Sequence, residues 1–276
     1  MIKAPQSFAI MLFAFTAMGM AQAVPGTESP VAGRVDLIDM AVDAETILSA
    51  TVTKTRTIPQ DKSPGLAPGY RRLLVDAEVD ALLTARGSVP AEIKYLVDLP
   101  EDARGRAPNI REQRVLLFLG REYGPGEFAL AHKYGQQPWT SERETDVRRF
   151  VTELADPKLN ALAPTEVVSA FHVPGSLPGE SESQVFLQTE AEQPMSLVIL
   201  NRPGETPRYA VATGDIIDPN AGAPAKGSVV ALGMACDLPA ALPDDVLEEK
   251  SPSERAALEK DFAFVREQLG ECERRF

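Results

Sequence analysis

The chain has 276 residues, with 28 Lys and Arg against 40 Asp and Glu, a net charge of −12 with both histidines neutral. Hydrophobic residues at 44% and charged residues at 25% are ordinary for a folded chain, and the length suits two small domains. Surplus acid repels phosphate backbones, which argues against a nucleic-acid partner, and two histidines with two cysteines leave little material for a soft-metal centre.

Residues 1–23 read as a cleavable secretory signal. Lys3 is the only charge before Glu28, an apolar run covers Phe8–Met20, and Ala21-Gln22-Ala23 supplies small residues before a cut after Ala23, leaving Val24 first. The run is too short to cross a bilayer, and no later stretch is apolar enough, so no transmembrane segment is expected in the mature chain. No cysteine follows the run to carry a lipid. Arg outnumbers Lys by 19 to 9, which points to a GC-rich bacterial genome and hence to a periplasmic or secreted protein. Charge is uneven: residues 24–160 hold 21 acids and 18 bases, residues 161–276 hold 19 and 9, so a boundary is expected near Pro157–Pro164.

A Pro/Gly-rich leader, 24–45, precedes the first folded unit, 46–156. Strand signals run from Thr46 to Ile58, then Leu73 to Leu83, where apolar residues alternate with Asp76, Glu78 and Asp80. Ile93–Leu99 alternates in the same way, Val115–Leu119 is apolar throughout and so covered on both faces, and Glu127–Ala131 is short. Ser141 and Glu144 stand at capping-box spacing before a helix with Val147, Phe150, Val151 and Leu154 on one face. Five strands with mostly hairpin-length connections predict a small, closed or partly closed antiparallel barrel.

Leu48–Val52, Leu73–Leu83 leading to Gly87, Ile93–Leu99, Val115–Leu119 and the late Gly135 and Trp139 together resemble the netrin-module OB fold of the metalloproteinase-inhibitor family, over residues 40–155. The resemblance implies only a fold, a small antiparallel OB-like barrel. That family's amino-terminal inhibitory cysteine and its disulfide framework are absent, so no functional residue is carried over.

The second unit, 165–276, repeats the β pattern in shorter strands: Val167–Val173, Gln184–Thr189, Ser196–Leu200, Tyr209–Thr213 and Val229–Cys236. A small sandwich or second barrel is expected. Ser251, Pro252 and Glu254 then open a helix whose Leu258, Phe262, Val265, Leu269, Cys272 and Phe276 recur every three or four residues. Docking on its own sheet and a coiled-coil dimer both fit that stripe. Cys272 on the stripe and Cys236 at a strand end predict a Cys236–Cys272 disulfide in an oxidising compartment.

Signatures of catalysis are missing. Gly222-x₄-Gly227 is followed by Ser228, so it is not a phosphate loop, and Asp215, Asp218 and Asn220 read as an ordinary turn. The unusual stretch lies between Arg121 and Trp139, where Tyr123, Phe128, His132, Tyr134 and the only Trp interleave with glycines. Of these, Tyr123, His132, Tyr134 and Trp139 form the candidate ligand-facing rim. The leading expectation is an exported, non-enzymatic binding or interaction module of the bacterial cell envelope, needing no cofactor or metal and binding an unknown protein or small molecule. The alternatives are a periplasmic hydrolase using His132 or His172, and a structural accessory subunit of an envelope complex docking through its acidic carboxy-terminal half.

Overall fold

The structure, a computed structural model, describes residues 29–156, 164–189, 194–213 and 222–276. The expected signal and the turn carrying Asp215, Asp218 and Asn220 lie outside these residues.

The expected leader contains a helix, α1 (Arg34–Asp43), with Val35, Leu37, Ile38 and Met40 buried. Its start signal is unusual. Gly33 offers no capping side chain, and instead its own N–H donates to Asp36 Oδ2 at 2.7 Å.

Six strands follow: β1 (Thr46–Thr57), β2 (Tyr70–Ala85), β3 (Glu92–Pro100), β4 (Arg114–Gly124), β5 (Glu127–Leu130) and β6 (Gln136–Pro138). β1 pairs with both β2 and β4, so the order β1-β2-β3-β5-β4 closes into a five-stranded barrel, and β6 pairs with Val115–Leu117, the stretch of β4 that β5 leaves open. One seam differs from the expected antiparallel pattern: β3 and β5 run parallel through Lys94–Glu127 and Tyr95–Phe128. β5 hairpins back along β4, and that direction matches β3.

Period-two alternation builds the barrel core. Leu48, Ala50, Val52, Leu73, Val75, Ile93, Tyr95 and Val97 point inward, each worth roughly 1.5–3 kcal/mol for the larger aliphatics. β4 is buried on both faces, as its unbroken apolar run predicts: Val115, Leu117 and Leu119 face the interior, while Leu116 and Phe118 face a helical layer. That layer is α1 and α2 (Ser141–Leu154), with Val147 and Phe150 buried. The cap of α2 is Thr140 and not Ser141; Thr140 Oγ1 accepts from Arg143 N–H at 3.1 Å.

The second sheet is an antiparallel meander of β7 (Pro164–Pro174), β8 (Ser181–Thr189), β9 (Met195–Asn201) and β10 (Arg208–Thr213), in the order β10-β9-β8-β7. Val185, Leu187, Leu197 and Ile199 on one face pack against α3 (Val229–Asp237), the short α4 (Asp244–Leu247) and α5 (Pro252–Leu269).

Segment 229–236, expected as a strand, is therefore helical. A short run that is apolar at every position does not distinguish a strand from a helix buried on all sides. Ser228 decides it by capping, with its Oγ accepting from Ala231 N–H at 3.2 Å. Inside the run, Val230 and Met234 join the core of the second sheet, while Leu232 joins the layer of α1 and α2. Glu153 of α2 strengthens the joint by accepting from Val229 N–H at 2.6 Å.

α5 starts as its sequence dictates, with Ser251 accepting from Glu254 N–H and Pro252 first in the helix. Leu258, Phe262 and Val265 are fully buried against the second sheet, so the helix docks within its own chain. It ends at Leu269, because Gly270 takes a φ of +81°, the left-handed region that a glycine enters without strain. Cys272 and Phe276, expected on the helical stripe, lie beyond it on a non-helical strap. The expected Cys236–Cys272 disulfide is present, joining α3 to that strap.

Candidate functional site

The structure distributes the four rim residues over three places. The first is a cleft of about 690 Å³ at one end of the barrel, between the end of β3, residues 108–115 and β6. Such a volume falls in the range of ligand clefts. Leu99, Ile110 and Val115 give it an apolar floor. Gln136 lines it too, and accepts from the buried Tyr95 O–H at 2.7 Å. Burial pushes the Tyr95 phenol pKa far up, so the group remains a hydrogen-bond donor at any physiological pH.

Trp139 forms one wall of this cleft and is held firmly. Its indole N–H donates to Glu144, and the Arg114 guanidinium lies 3.9 Å from its ring centroid. Arg114 also pairs with Asp80 at 3.1 Å across the barrel rim. Burial would raise the Glu144 carboxyl pKa, but the bonds from Trp139 and Arg148 and the charge of Arg114 outweigh it and hold the group below its ordinary value. Beside the cleft, Glu112 has a φ of +65°, an unusual conformation for a side chain of its kind. Two main-chain bonds hold it: Glu112 N–H to Val52 O at 2.8 Å and Val52 N–H to Gln113 O at 3.0 Å.

Tyr123 is elsewhere. It is 73% exposed and lines a shallow hollow with Glu92 and Gly126.

His132 and Tyr134 stand together on the tight turn between β5 and β6. Gly135 N–H closes that turn onto His132 O at 2.7 Å, and Phe118 N–H donates to Gly135 O at 2.8 Å. A Cβ at Gly135 would sit 2.9 Å from the carbonyl oxygens of His132 and Phe118, so only glycine fits there. The rim these two rings make is already filled: Phe276 from the strap stacks on His132, with centroids 5.6 Å apart, and tilts onto Tyr134 at 4.5 Å.

The rest of the strap is held by α1 and the end of α3. The Asp36 carboxylate accepts from the main-chain N–H of Arg275 at 3.0 Å and of Phe276 at 3.3 Å. Arg34 grips Glu273 through two nitrogens, with Nε to Oε2 at 2.7 Å. Arg274 reaches Asp39 at 3.0 Å and Asp237 at 3.3 Å.

His172 lies on β7 of the second sheet, where Ser, His and Asp do converge. His172 Nδ1 is 2.9 Å from Ser183 Oγ, and Ser183 Oγ donates to Asp261 Oδ2 at 2.6 Å. The order is wrong for a hydrolase relay, which needs the imidazole between serine and carboxylate. Ser183 is also fully buried and its proton is committed to Asp261. Asn201 Nδ2 donates to both Asp261 oxygens at 3.1 Å, so the cluster satisfies a buried carboxylate. Asp261 is a charged residue outside the apolar stripe of α5, yet it is only 4% exposed.

Among the described residues no group of three or more His, Cys, Asp or Glu side chains is placed to hold a metal ion. Sequence reasoning missed Asp36, Arg34 and Gln137. Gln137 is a buried amide on β6 whose Oε1 accepts from Ala32 N–H at 2.9 Å and whose Nε2 donates to Tyr134 O at 2.8 Å. Only Asp36, three residues after a glycine at a helix start, left a readable signal.

No protein-family model matches the chain, and no curated protein matches it in sequence.

Proposed function

We propose that this chain is an exported, non-enzymatic binding module of a bacterial cell envelope that takes its ligand at the barrel-end cleft. The cleft itself carries the reading: a recess of about 690 Å³ with an apolar floor, walled by a Trp that two neighbours immobilise. A rigid wall of this kind lowers the entropic cost of binding. Its lining suits a small, mainly apolar ligand or peptide side chain with a few polar groups for Gln136 and Gln113.

Export is supported by the Cys236–Cys272 bridge, which suits an oxidising compartment, and no helix among the described residues is long and apolar enough to cross a membrane. The hydrolase alternative finds less support, because His132 packs under Phe276 and His172 serves a buried carboxylate. A second reading, the accessory subunit, is favoured by one observation. Val168, Phe171 and Val173 on β7, with Leu200 on β9, are each at least 39% exposed.

A photoreactive phenylalanine analogue placed separately at Asn109, Val173 and Lys54 in the producing cell separates the two. Cross-linking at Asn109 alone is the expected result. Adducts at Val173 alone favour the accessory subunit, and equal labelling at all three ends both readings. Mass spectrometry of the same mature protein is expected to find Val24 at its amino terminus.

A further inference from the structure

α5 stops at Gly270, yet six further residues make an ordered set of contacts with the barrel side of the molecule. Those contacts have the form of peptide recognition. Arg34 reads an acidic side chain, Asp36 captures two successive main-chain N–H groups, and His132 with Tyr134 receives an aromatic ring. The spacing recognised is Glu-x-x-Phe, from Glu273 to Phe276.

Two observations distinguish this strap from ordinary core packing. No strap residue belongs to any of the three buried apolar clusters. The side chains of Arg34, Glu273 and Arg274 keep 36–39% of their surface in water, where such ion pairs are worth about 0–1 kcal/mol each. Apart from the two main-chain N–H groups held by the buried Asp36, the strap is thus tied down by exposed ion pairs, one aromatic contact and one covalent bond, and that bond is within reach, because Cys272 is exposed.

We propose that the surface made by Arg34, Asp36, His132 and Tyr134 is a binding site for Glu-x-x-Phe peptides, held self-occupied by the strap, with the Cys236–Cys272 disulfide as the latch. A dithiol oxidoreductase opens it. One thiolate of the dithiol attacks Cys272 Sγ, the S–S bond breaks, and Cys236 leaves as a thiolate that takes up a proton. The dithiol's second thiolate then attacks its own half of the mixed disulfide and expels Cys272. Two electrons and two protons have passed to the protein, and the reductant departs as its disulfide. With its tether loosened, the strap occupies the site for a smaller fraction of the time, and a competing peptide binds with correspondingly higher apparent affinity.

The test uses the full mature chain and a fluorescein-labelled Gly-Ser-Glu-Arg-Arg-Phe peptide, read by anisotropy with and without dithiothreitol. Reduction is expected to tighten peptide binding by about tenfold or more, and Tyr134→Ala is expected to abolish the binding of the reduced chain. Equal affinity in both redox states overturns the latch. No binding in either state, or binding that survives Tyr134→Ala, overturns the site. Hydrogen exchange on the unaltered chain is a check that needs no variant: protection at residues 36–38 and 131–135 is expected to fall on reduction, and unchanged protection there overturns the proposal.

Discussion

Gly33 and Glu273 meet main chain to main chain. A Cβ on Gly33 would lie 1.8 Å from the Glu273 carbonyl oxygen and 2.9 Å from its carbon. Neither is the end of a flexible side chain, so any larger residue at position 33 must displace the strap. Gly33 initiates α1 with an extended φ of −75°, so alanine is tolerated by the local backbone and the conflict is purely one of space. Gly33→Ala is therefore expected to unseat residues 273–276 while α1 and the barrel persist, at a cost of about 1–3 kcal/mol. Denaturant unfolding gives the cost. Hydrogen exchange at Arg275 and Phe276 gives the place, and unchanged protection there contradicts the close approach.

The Asp261 cluster makes a different demand. Asp261→Ala removes the acceptor of the buried Ser183 hydroxyl and of the half-buried Asn201 amide; His172 Nδ1 and Ser181 Oγ remain as second partners, so the total loss is expected to be about 1–3 kcal/mol. Ser183→Ala removes one donor and keeps the Asn201 bonds, so its loss is expected to be the smaller of the two. Unfolding midpoints of the two variants decide this. A larger loss for Ser183→Ala shows that the serine serves something beyond Asp261.

Acid acts on the strap through Glu273. The hydrogen bond from Arg34 holds the Glu273 carboxyl below its ordinary pKa, with the partial burial of the group opposing. A carboxyl lowered by folding stabilises the folded form above its unfolded pKa of about 4.3, and that contribution is lost as pH falls through the lower folded value. Strap contacts are thus expected to be intact at pH 6 and to loosen below about pH 4. Since both partners are more than a third exposed, raising the salt concentration is expected to weaken the pair at neutral pH as well. The Phe276 ring resonances, shifted by stacking on His132 and Tyr134, report both effects. Shifts that hold constant from pH 6 to pH 3 contradict the assignment.

How far residue order announces this architecture depends on whether the signal is periodic. Leu73, Val75 and Ala77 set against Asp76 and Glu78 can only be a half-buried strand, and closure of the barrel follows from removing exposed edges. The unbroken run Val229–Cys236 carries no period, so the choice between strand and helix passes to the Ser228 cap. Apolar spacing also overran a helix end. Cys272 and Phe276 keep the rhythm of Leu258 and Phe262, yet Gly270 has already turned the backbone away. The candidate site was legible only in part, for a related reason. His132 and Tyr134 stand out as aromatics on a glycine-rich turn, but their occupant, Phe276, is more than 140 positions away in the chain, and no local pattern links the two.

That misplacement of Cys272 changes what the disulfide is expected to do. A bond pinning α5 to the second sheet would stiffen that sheet and spare the barrel. The observed bond instead joins α3 to the strap, two residues past Gly270, and the strap's other partners are α1 and the His132–Gly135 turn. α5 keeps Leu258, Phe262 and Val265 in the core whether or not the bond exists. With the cysteines 36 positions apart, the chain-entropy value is about 3–4 kcal/mol, less any strain. Cys236→Ser with Cys272→Ser is expected to lower global stability by no more than that. Extra hydrogen exchange is expected to concentrate at Asp36–Met40 and His132–Gly135, with β8 and β9 keeping their protection. Loosening centred on β8 and β9 would show that the bridge pins α5 after all, and that the strap's contacts with α1 are incidental.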